Sequence, residues 1–384
     1  MVHHRPASSE TGDPLLLTPG PLTTSASVKQ AMVHDWGSRD AGFIAINKMV
    51  LEKILELAGA VGTHVTVPVQ GSGTFAVEAM ITSFVPKTGK LLVLINGAYG
   101  LRAKKIAEIA GRAVTVYETA EDTPPDLARL EQMLVADKAI SHVFAVHCET
   151  TSGILNPIQE IAELVAKQGR RLLVDSMSAF GAIEIDARKV PYDALASSSN
   201  KCLEGVPGLG FVICRKTGIA ECKGNATTLV LDLFDQAEGF ARTDQYRFTP
   251  PIHVIVALGK AIEEHAAEGG VAGRGKRYRE NAKVLVDGMR AMGFRTLLPE
   301  KQQAPIIITF HMPTDPKFVF QSFYDGLKDR GYVIYPGKLT VADSFRMGCI
   351  GRLYPEHMKG ALAAVREVLD ELRVSNGGPA LAAE

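Results

Sequence analysis

Charge of one sign, long apolar runs and clustered cysteines are all absent from this chain of 384 residues. Lys+Arg and Asp+Glu both number 42, so the formal net charge is zero. Nucleic-acid-binding proteins usually carry a basic excess, which makes that class a poor fit. No apolar run reaches the roughly 18 residues that suggest a membrane span, and residues 1–14 lack the apolar core of a signal peptide. We therefore expect a cytoplasmic protein with no nucleic-acid or membrane partner.

The cysteines are too scattered to form a structural metal site. No CxxC pair and no tight Cys/His spacing occurs, so zinc ligation is not expected and no metal is assigned. An odd number of separated cysteines suits a reducing compartment better than a disulfide framework. The cysteines are Cys148, Cys202, Cys214, Cys222 and Cys349.

What is present is an alternation of short β-rich runs with amphipathic helical segments. Continuous apolar strands separated by such helices predict an α/β fold with a mostly parallel sheet covered by helices. After residue 269, longer charged helices with few strands predict a smaller α+β domain. The predicted strands of the first part are 64–70, 91–96, 113–117, 142–147, 171–175 and 210–214. The predicted organisation is a flexible N-terminus (1–14), a large domain (15–268), a small C-terminal domain (269–373) and a flexible tail (374–384).

The loop that follows the first of these strands, QGSGT at 70–74, is suited to bind an anion. Its glycines allow a ligand to approach the backbone, and the helix that follows offers free N–H groups. A tight turn with a helix N-cap explains the same residues. GSGTFA also fits the loose dinucleotide pattern GxGxxA, but the next strand ends in Asn96-Gly97 and not in the acid that would hold a ribose.

Two further strand-end positions carry reactive side chains. Asp175 ends the buried run RLLVD, where a carboxylate needs a partner; a helix N-cap is the ordinary explanation. Lys201 follows a stretch of small hydroxyl residues and is either a surface lysine or a Schiff-base lysine. Taken together, an anion cup, a strand-end acid and a lysine are what pyridoxal 5′-phosphate requires for its phosphate, ring nitrogen and aldehyde.

With these motifs the chain resembles the class V aminotransferases of fold type I, and among them the 2-aminoethylphosphonate–pyruvate transaminases. The resemblance extends from residue 15 to about residue 372, and the ordered set of motifs is far more specific than any one of them. The motifs are LLLTPGPLTTS (15–25), HDW (34–36), QGSGTF (70–75), NGAYG (96–100), HCET (147–150), VDSMS (174–178), NKCLEGVPG (200–208), FTPP (248–251) and FRMG (345–348).

The resemblance implies a role for each matching residue around pyridoxal phosphate. Lys201 is the Schiff-base lysine, Asp175 pairs with the pyridine nitrogen, and Tyr99 places its ring over the pyridine. Thr150 approaches the 3′ oxygen, with its neighbour Thr151 as a competitor. The residues expected to hold the phosphate are Ser72, Gly73, Thr74 and Asn200, joined across a homodimer interface by Tyr246 and Thr249 of the neighbouring subunit.

Arg346 is expected to bind the anionic group of the substrates, because a guanidinium fits a carboxylate and can also hold a phosphonate. The implied substrates are 2-aminoethylphosphonate and pyruvate. Arg39 departs from the family pattern. It is either an additional ligand for an anion near the substrate or a side chain that faces solvent. Arg352 also departs from it, and the sequence assigns it no role.

Four other functions compete with this one. An alanine– or serine–glyoxylate aminotransferase would keep the fold and change the amino donor. A nicotinamide-dependent dehydrogenase would use GSGTFA but leaves Lys201 unexplained. A cysteine desulfurase is disfavoured because Cys148 and Cys202 are expected to be buried and unreactive. If the chain were a non-enzymatic binding protein, the spacing of Asp175 and Lys201 that suits pyridoxal phosphate would be accidental.

Overall fold

The computed structural model describes residues 6–339 and 342–374. Residues 1–5 of the expected flexible N-terminus, and all of the expected tail except Val374, lie outside these ranges. The strands are β1 (Leu15–Leu16), β2 (His64–Gln70), β3 (Lys90–Ile95), β4 (Ala113–Glu118), β5 (Ile140–Val146), β6 (Cys148–Glu149), β7 (Ile154–Leu155), β8 (Arg171–Asp175), β9 (Ala194–Ser198), β10 (Leu209–Arg215), β11 (Ile307–His311), β12 (Tyr332–Val333), β13 (Tyr335–Pro336) and β14 (Ser344–Gly348).

Helices fill most of the intervals between these strands, together with one 3₁₀ turn at Glu300–Gln302. None of the helices in the described ranges is long and apolar enough to span a bilayer. The helices are α1 (Ala26–Gln30), α2 (Ala41–Leu57), α3 (Gly73–Phe84), α4 (Ala98–Ile109), α5 (Leu127–Ala136), α6 (Ile158–Lys167), α7 (Lys216–Ala220), α8 (Leu233–Thr243), α9 (Ile252–Ala267), α10 (Gly270–Ala291), α11 (Phe320–Asp329) and α12 (Pro355–Leu372).

The large sheet has the strand order β2-β10-β9-β8-β5-β3-β4. β10 is antiparallel to both of its neighbours, and the other pairs are parallel. One face packs on α2, α5, α6 and α9, and the other on α3 and α4. The central strands are therefore buried on both sides, which is why they are apolar throughout. The expected α/β fold with a mostly parallel, helix-covered sheet is confirmed.

Strand β9 corrects one expectation. Ser197 and Ser198 belong to the stretch of small hydroxyl residues before Lys201, which was not predicted as a strand, and they are the last residues of this fully buried strand. Its small side chains suit a sheet face against which α3 packs closely. Even on the neighbouring strand, a Cβ added to Gly210 would lie 2.8 Å from the Cβ of Ala76 in α3. Because of this packing, β9 has no β-branched residues, and without them the sequence does not indicate a strand.

The C-terminal part builds a second, smaller sheet in the antiparallel order β11-β14-β13. Its apolar core lies against α10, α11 and α12 and includes Phe294, Phe310 and Phe345. The proposed boundary at 268–269 falls at Gly269, between α9 and α10, where φ is +99°. Residues 15–17, by contrast, pack with the small C-terminal domain. β1 pairs with β12, and Leu15 and Leu17 are buried in the apolar core of that domain.

Residues 6–14 of the expected flexible N-terminus are held by contacts in the structure. Ala7 N donates to Arg330 O at 3.0 Å, and Asp13 pairs with Lys29. Glu10 Oε1 accepts from Arg352 Nε at 3.1 Å, so Arg352 forms a peripheral ion pair.

A buried ionic cluster joins the large domain to α10. Glu204 pairs with Arg277 at 2.7 Å and Arg274 at 3.3 Å, and both arginines also pair with Glu268. The hydroxyl of Tyr278 donates to Glu204 as well. Arg274 also donates to the carbonyl of Cys202 at 2.6 Å, so the cluster supports the turn that holds Lys201.

Candidate active site

The three loops singled out in the sequence lie at one edge of the large sheet. β8 and β9 are parallel, with Asp175 opposite Ala196, so Asp175 and the segment leading to Lys201 emerge together. β2 points the same way, because it and β9 are both antiparallel to β10. Ser72 therefore emerges at that edge too. The carboxyl edge of the strands is where open α/β sheets bind ligands.

Lys201 lies against the N-terminal segment. Its Nζ donates to Pro19 O at 2.5 Å. A Cβ on Gly20 would stand 2.6 Å from that Nζ, and the φ of +124° at Gly20 favours glycine. Burial lowers the pKa of Lys201 to about 8; Arg346 lowers this pKa further, whereas Asp175 raises it. Much of the amine is thus neutral near pH 8, as Schiff-base formation requires.

Asp175 is 5% exposed at the end of β8. Its Oδ1 accepts a hydrogen bond from Met177 N at 2.9 Å. No other hydrogen bond reaches the carboxylate from residues 6–339 or 342–374, so Oδ2 can accept from a ligand. Burial raises the pKa of Asp175 to about 6, and Glu149 acts in the same direction, while Arg102 and Lys201 oppose the rise. A protonated ring nitrogen would stabilise the charged form of this carboxyl.

The start of α3 forms an anion cup. Ser72 is its N-cap residue, and the Ser72 hydroxyl makes no capping hydrogen bond. Thr74 Oγ1 accepts from a guanidinium nitrogen of Arg102 at 3.2 Å. A Cβ on Gly73 would collide with Met177, so the backbone is open here only with glycine. Free N–H groups, a hydroxyl and a guanidinium are a phosphate-binding set.

These groups fit pyridoxal phosphate: the cup suits its phosphate, Asp175 its ring nitrogen and Lys201 its aldehyde. Tyr99, in the first turn of α4, is half-buried beside them. The guanidinium carbon of Arg102 lies 4.8 Å from the Tyr99 ring centroid. Arg102 carries no motif that marks it in the sequence, and only its place one turn after Tyr99 could have indicated it.

Glu149 is a second residue that the sequence did not single out. Its carboxylate is fully buried at the start of α4 and accepts from Tyr99 N at 3.3 Å and Thr151 N at 3.1 Å. Burial raises the pKa of Glu149, while these hydrogen bonds lower it. A Cβ on Gly97 would collide with this carboxylate. Glu149 thus caps the helix that carries Tyr99.

The neighbouring threonines differ in what their hydroxyls contact. Thr151 Oγ1 donates to Glu149 Oε1 at 2.5 Å and accepts from Ala98 N at 3.0 Å, so it is occupied in capping α4. Thr150 Oγ1 shares a hydrogen bond of 2.7 Å with Ser178 Oγ, in the segment that follows Asp175. This arrangement favours Thr150 over Thr151 as the cofactor ligand, which remains a proposal.

Arg346 projects from β14 toward the same edge. It is 6% exposed, and it donates to two backbone carbonyls, Pro336 O at 3.2 Å and Thr150 O at 3.0 Å. No described carboxylate forms an ion pair with it. Burial lowers the pKa of Arg346 from its ordinary high value, and Tyr99 opposes this. A buried guanidinium without an acidic partner is a binding group for an anion.

The remaining predicted residues do not join this cluster within one chain. Arg39, Tyr246 and Thr249 together line a surface pocket of about 360 Å³ beside α2. The Tyr246 hydroxyl is buried without a hydrogen-bond partner in the described part of the chain. Thr249 is linked to the cup only through its carbonyl, which accepts from Gln70 Nε2 at 3.2 Å. Asn200 is half-buried next to Lys201, and the structure gives its side chain no described hydrogen bond.

The geometry speaks against two of the competing functions. Asn96, where a dehydrogenase would carry its ribose acid, donates to Asn156 Oδ1 at 2.8 Å in a buried amide pair. All five cysteines are buried with free thiols. Burial raises the pKa of Cys148, and it raises that of Cys202 to about 12, so neither is a ready nucleophile. Within the described residues, no cluster of three His, Cys, Asp or Glu side chains could hold a metal.

Curated relatives are similar over nearly the whole chain. A 2-aminoethylphosphonate–pyruvate transaminase of Pseudomonas fluorescens strain Pf-5 is 52% identical over 362 residues, which is 94% of this chain and 98% of that protein. Among solved structures, the alanine–glyoxylate aminotransferase of Nostoc sp. has a TM-score of 0.86 at 24% identity, covering 96% of this chain and 98% of the other. The pyridoxamine–pyruvate aminotransferase of Mesorhizobium loti has the same TM-score and identity, covering 95% and 94%. These structures share the fold.

A family model described as class V aminotransferase matches residues 24–322. The match includes the cup, Tyr99, Asp175 and Lys201. Members of this class use pyridoxal phosphate, so the expected cofactor and the fold-type I architecture are confirmed. The chain belongs to the class V aminotransferase family.

Proposed function

We propose that this chain transfers the amino group of 2-aminoethylphosphonate to pyruvate, giving phosphonoacetaldehyde and alanine. Relatives that are 52% identical over 94% of the chain carry that name. The alanine–glyoxylate aminotransferase of Nostoc sp. is 24% identical, a likeness that shows the fold alone. The structural observation that carries the proposal is Arg346, a buried cation with no described acidic partner, which contacts Thr150 O at the strand edge that presents Lys201 and Asp175. The activity belongs to phosphonate catabolism.

The residues divide the work between binding and proton transfer. Pyridoxal phosphate, when bound, supplies an aldehyde for the substrate amine and a ring that accepts the electron pair left after proton loss. Ser72, Gly73, Thr74 and Asn200 would hold its phosphate. Arg346 binds the anionic end of each substrate and so orients the carbon that bears the amine toward Lys201.

Lys201 is the base in this scheme. Burial lowers its pKa to about 8, so its Nζ can take a proton from the amine-bearing carbon and later return it. Asp175 would hold the ring nitrogen in its protonated form, because no described residue donates a hydrogen bond to Oδ2. Tyr99, whose backbone N–H donates to Glu149, would cover one face of the ring and limit its movement.

The proposal includes a homodimer in which Arg39, Tyr246 and Thr249 serve the site of the neighbouring subunit. Their common pocket and the unpartnered Tyr246 hydroxyl support this. Hybrid dimers of a Lys201→Ala chain and a Tyr246→Phe chain provide a test. One site of each hybrid would then be intact, so mixing should restore activity that neither variant has alone. Sites built within single chains would show no recovery. The five buried free thiols support a reducing cytoplasmic setting.

The absorbance spectrum of the purified holoenzyme tests the proposed reaction. Adding 2-aminoethylphosphonate should bleach the band of the lysine-bound cofactor, and adding pyruvate should restore it. Lys201→Ala should show neither change. Bleaching by alanine or serine without any response to the phosphonate would reject the proposed donor in favour of the glyoxylate-type alternative.

A further inference from the structure

Lys338 is a cation near the active site that no motif identifies. It lies in the turn between β13 and β14, the strand that carries Arg346, and Tyr335 is paired with Arg346 across these strands. The Lys338 ammonium stands 4.7 Å from the centroid of the Tyr99 ring. Its side chain is exposed, and it forms no ion pair with a carboxylate among the described residues. An aromatic face that is shared with another cation is a weak and exchangeable contact for an ammonium.

Two cations therefore approach the same tyrosine ring, and they have different surroundings. Arg102 donates a hydrogen bond to Thr74 at the phosphate cup, so its positive charge lies beside the expected position of the cofactor phosphate. Lys338 has no such bond to any residue in 6–339 or 342–374, and it lies in the segment that joins β13 to β14, the strand of Arg346. Partial burial lowers the pKa of Lys338, the charges of Arg102 and Arg346 lower it further, and the charge of Glu149 opposes this.

Arg346 alone leaves part of a phosphonate unmatched. Its Nε and one terminal nitrogen already donate to backbone carbonyls, which leaves mainly the other terminal nitrogen for a ligand. A carboxylate has one negative charge. A phosphonate has three oxygens and takes a second negative charge near neutral pH, as phosphate monoesters do with a second pKa of about 6. One guanidinium balances a carboxylate, but the phosphonate dianion needs another cation.

The lengths of the two substrates also call for a second group. The carboxylate of alanine is joined directly to the amine-bearing carbon. In 2-aminoethylphosphonate one more bond, about 1.5 Å, separates that carbon from the phosphorus. With the amine fixed at Lys201, the phosphonate reaches further than a carboxylate. A flexible, exposed lysine beside Arg346 can meet the longer substrate and withdraw from the shorter one.

We infer that Lys338 is a specificity-determining residue that binds the phosphonate dianion together with Arg346, while the carboxylate of pyruvate or alanine relies on Arg346. This inference rests on the proposed function and names the group that selects its donor. The ligand chemistry is a dianionic, tetrahedral phosphonate on a two-carbon amine.

The test compares Lys338→Ala, Lys338→Arg and the wild-type holoenzyme. Lys328→Ala is the matched control, because Lys328 is another exposed lysine of the small domain, on α11. Dissociation constants are measured by calorimetry for ethylphosphonate, and for ethanesulfonate, which has a similar shape but one charge. The values of kcat/KM are measured for 2-aminoethylphosphonate and for L-alanine.

Lys338→Ala should weaken ethylphosphonate binding about tenfold more than ethanesulfonate binding, in line with the loss of one charge-assisted hydrogen bond. Its kcat/KM should fall more for the phosphonate donor than for L-alanine. Lys338→Arg should recover most of the loss, and Lys328→Ala should match the wild type. The wild-type preference for ethylphosphonate should grow between pH 6 and 8, and this growth should shrink in Lys338→Ala.

Equal losses for the two analogues would overturn the role of Lys338, and so would an unchanged phosphonate affinity. A wild-type holoenzyme that is bleached by L-alanine but not by 2-aminoethylphosphonate would instead reject the proposed function. The two failures are therefore distinguishable from the wild-type spectrum alone.

Discussion

Removing the negative charge of Glu204 should destabilise the protein strongly, because that charge is buried between two arginines. The Glu204 side chain is 3% exposed and pairs with Arg277 at 2.7 Å and Arg274 at 3.3 Å. In Glu204→Gln the amide keeps the shape and one acceptor oxygen. Within the described part of the chain, only Glu268 then remains to balance two guanidinium groups, of which Arg274 is 1% exposed.

The magnitude follows from the cost of leaving a buried charge uncompensated. Breaking one partner of a buried ion pair costs about 3–5 kcal/mol. The retained amide oxygen and Glu268 place the expected loss for Glu204→Gln near the lower end, at about 3 kcal/mol. Arg274 also holds the carbonyl of Cys202, so the variant should retain pyridoxal phosphate less tightly as well.

Urea unfolding of the holoenzyme, followed by circular dichroism, measures the loss of stability, and dialysis measures cofactor retention. Glu263→Gln is the control, since Glu263 forms an exposed pair with Lys260 on α9 and its loss should leave the unfolding midpoint unchanged. A Glu204→Gln variant within about 1 kcal/mol of wild type would refute the reasoning, because a charge at this position would then contribute no more than a surface pair.

Three further predictions concern the cofactor residues. Asp175→Asn should lower kcat by roughly 100-fold or more with little change in fold, measured by steady-state kinetics beside circular dichroism, and near-normal turnover would contradict the role of its charge. The rate at which added pyridoxal phosphate bonds to the apoprotein should rise with pH and level off above about pH 8. The reason is that burial lowers the pKa of Lys201 to about 8 and only the neutral amine reacts. A rate that continues to rise up to pH 10 would show that Lys201 titrates as an ordinary lysine. Gly20→Ala should slow the same reaction several-fold, because the new Cβ would stand 2.6 Å from Lys201 Nζ at a φ of +124°; an unchanged rate would mean that the segment moves aside freely.

The large domain was predictable because most of its strands are apolar runs that can be recognised in the sequence. The runs at 91–96 and 171–175 are apolar because helices cover both faces of the sheet, and they became β3 and β8. β9 was missed because α3 packs closely on this face and small residues fill it. The assignment of Leu15 and Leu17 to the large domain differs from their packing, since the partner strand β12 follows more than 300 residues later in the sequence.

The candidate site was predictable where one motif carries one function. Lys201, Asp175 and the cup each stand at the end of a predicted strand, so local sequence and the general position of ligands in α/β sheets are sufficient. Glu149, Arg102 and Lys338 escaped notice because their meaning lies in a partner distant in sequence. Glu149 caps a helix that begins some 50 residues earlier, and Lys338 is defined by Tyr99 in the other domain.

The contact of Lys201 with Pro19 has a consequence for how the two domains communicate. The segment that supplies this carbonyl continues from β1, which is part of the small domain's structure, and Leu17 O accepts from Gly348 N just after Arg346. The same short stretch of chain thus touches both the amine that does the chemistry and the strand that grips the substrate. A rotation of the small domain that moved Arg346 would therefore also move the segment that contacts Lys201. We therefore expect seating of the substrate and release of the lysine to be coupled, and a truncation that removes residues 15–19 should abolish both contacts.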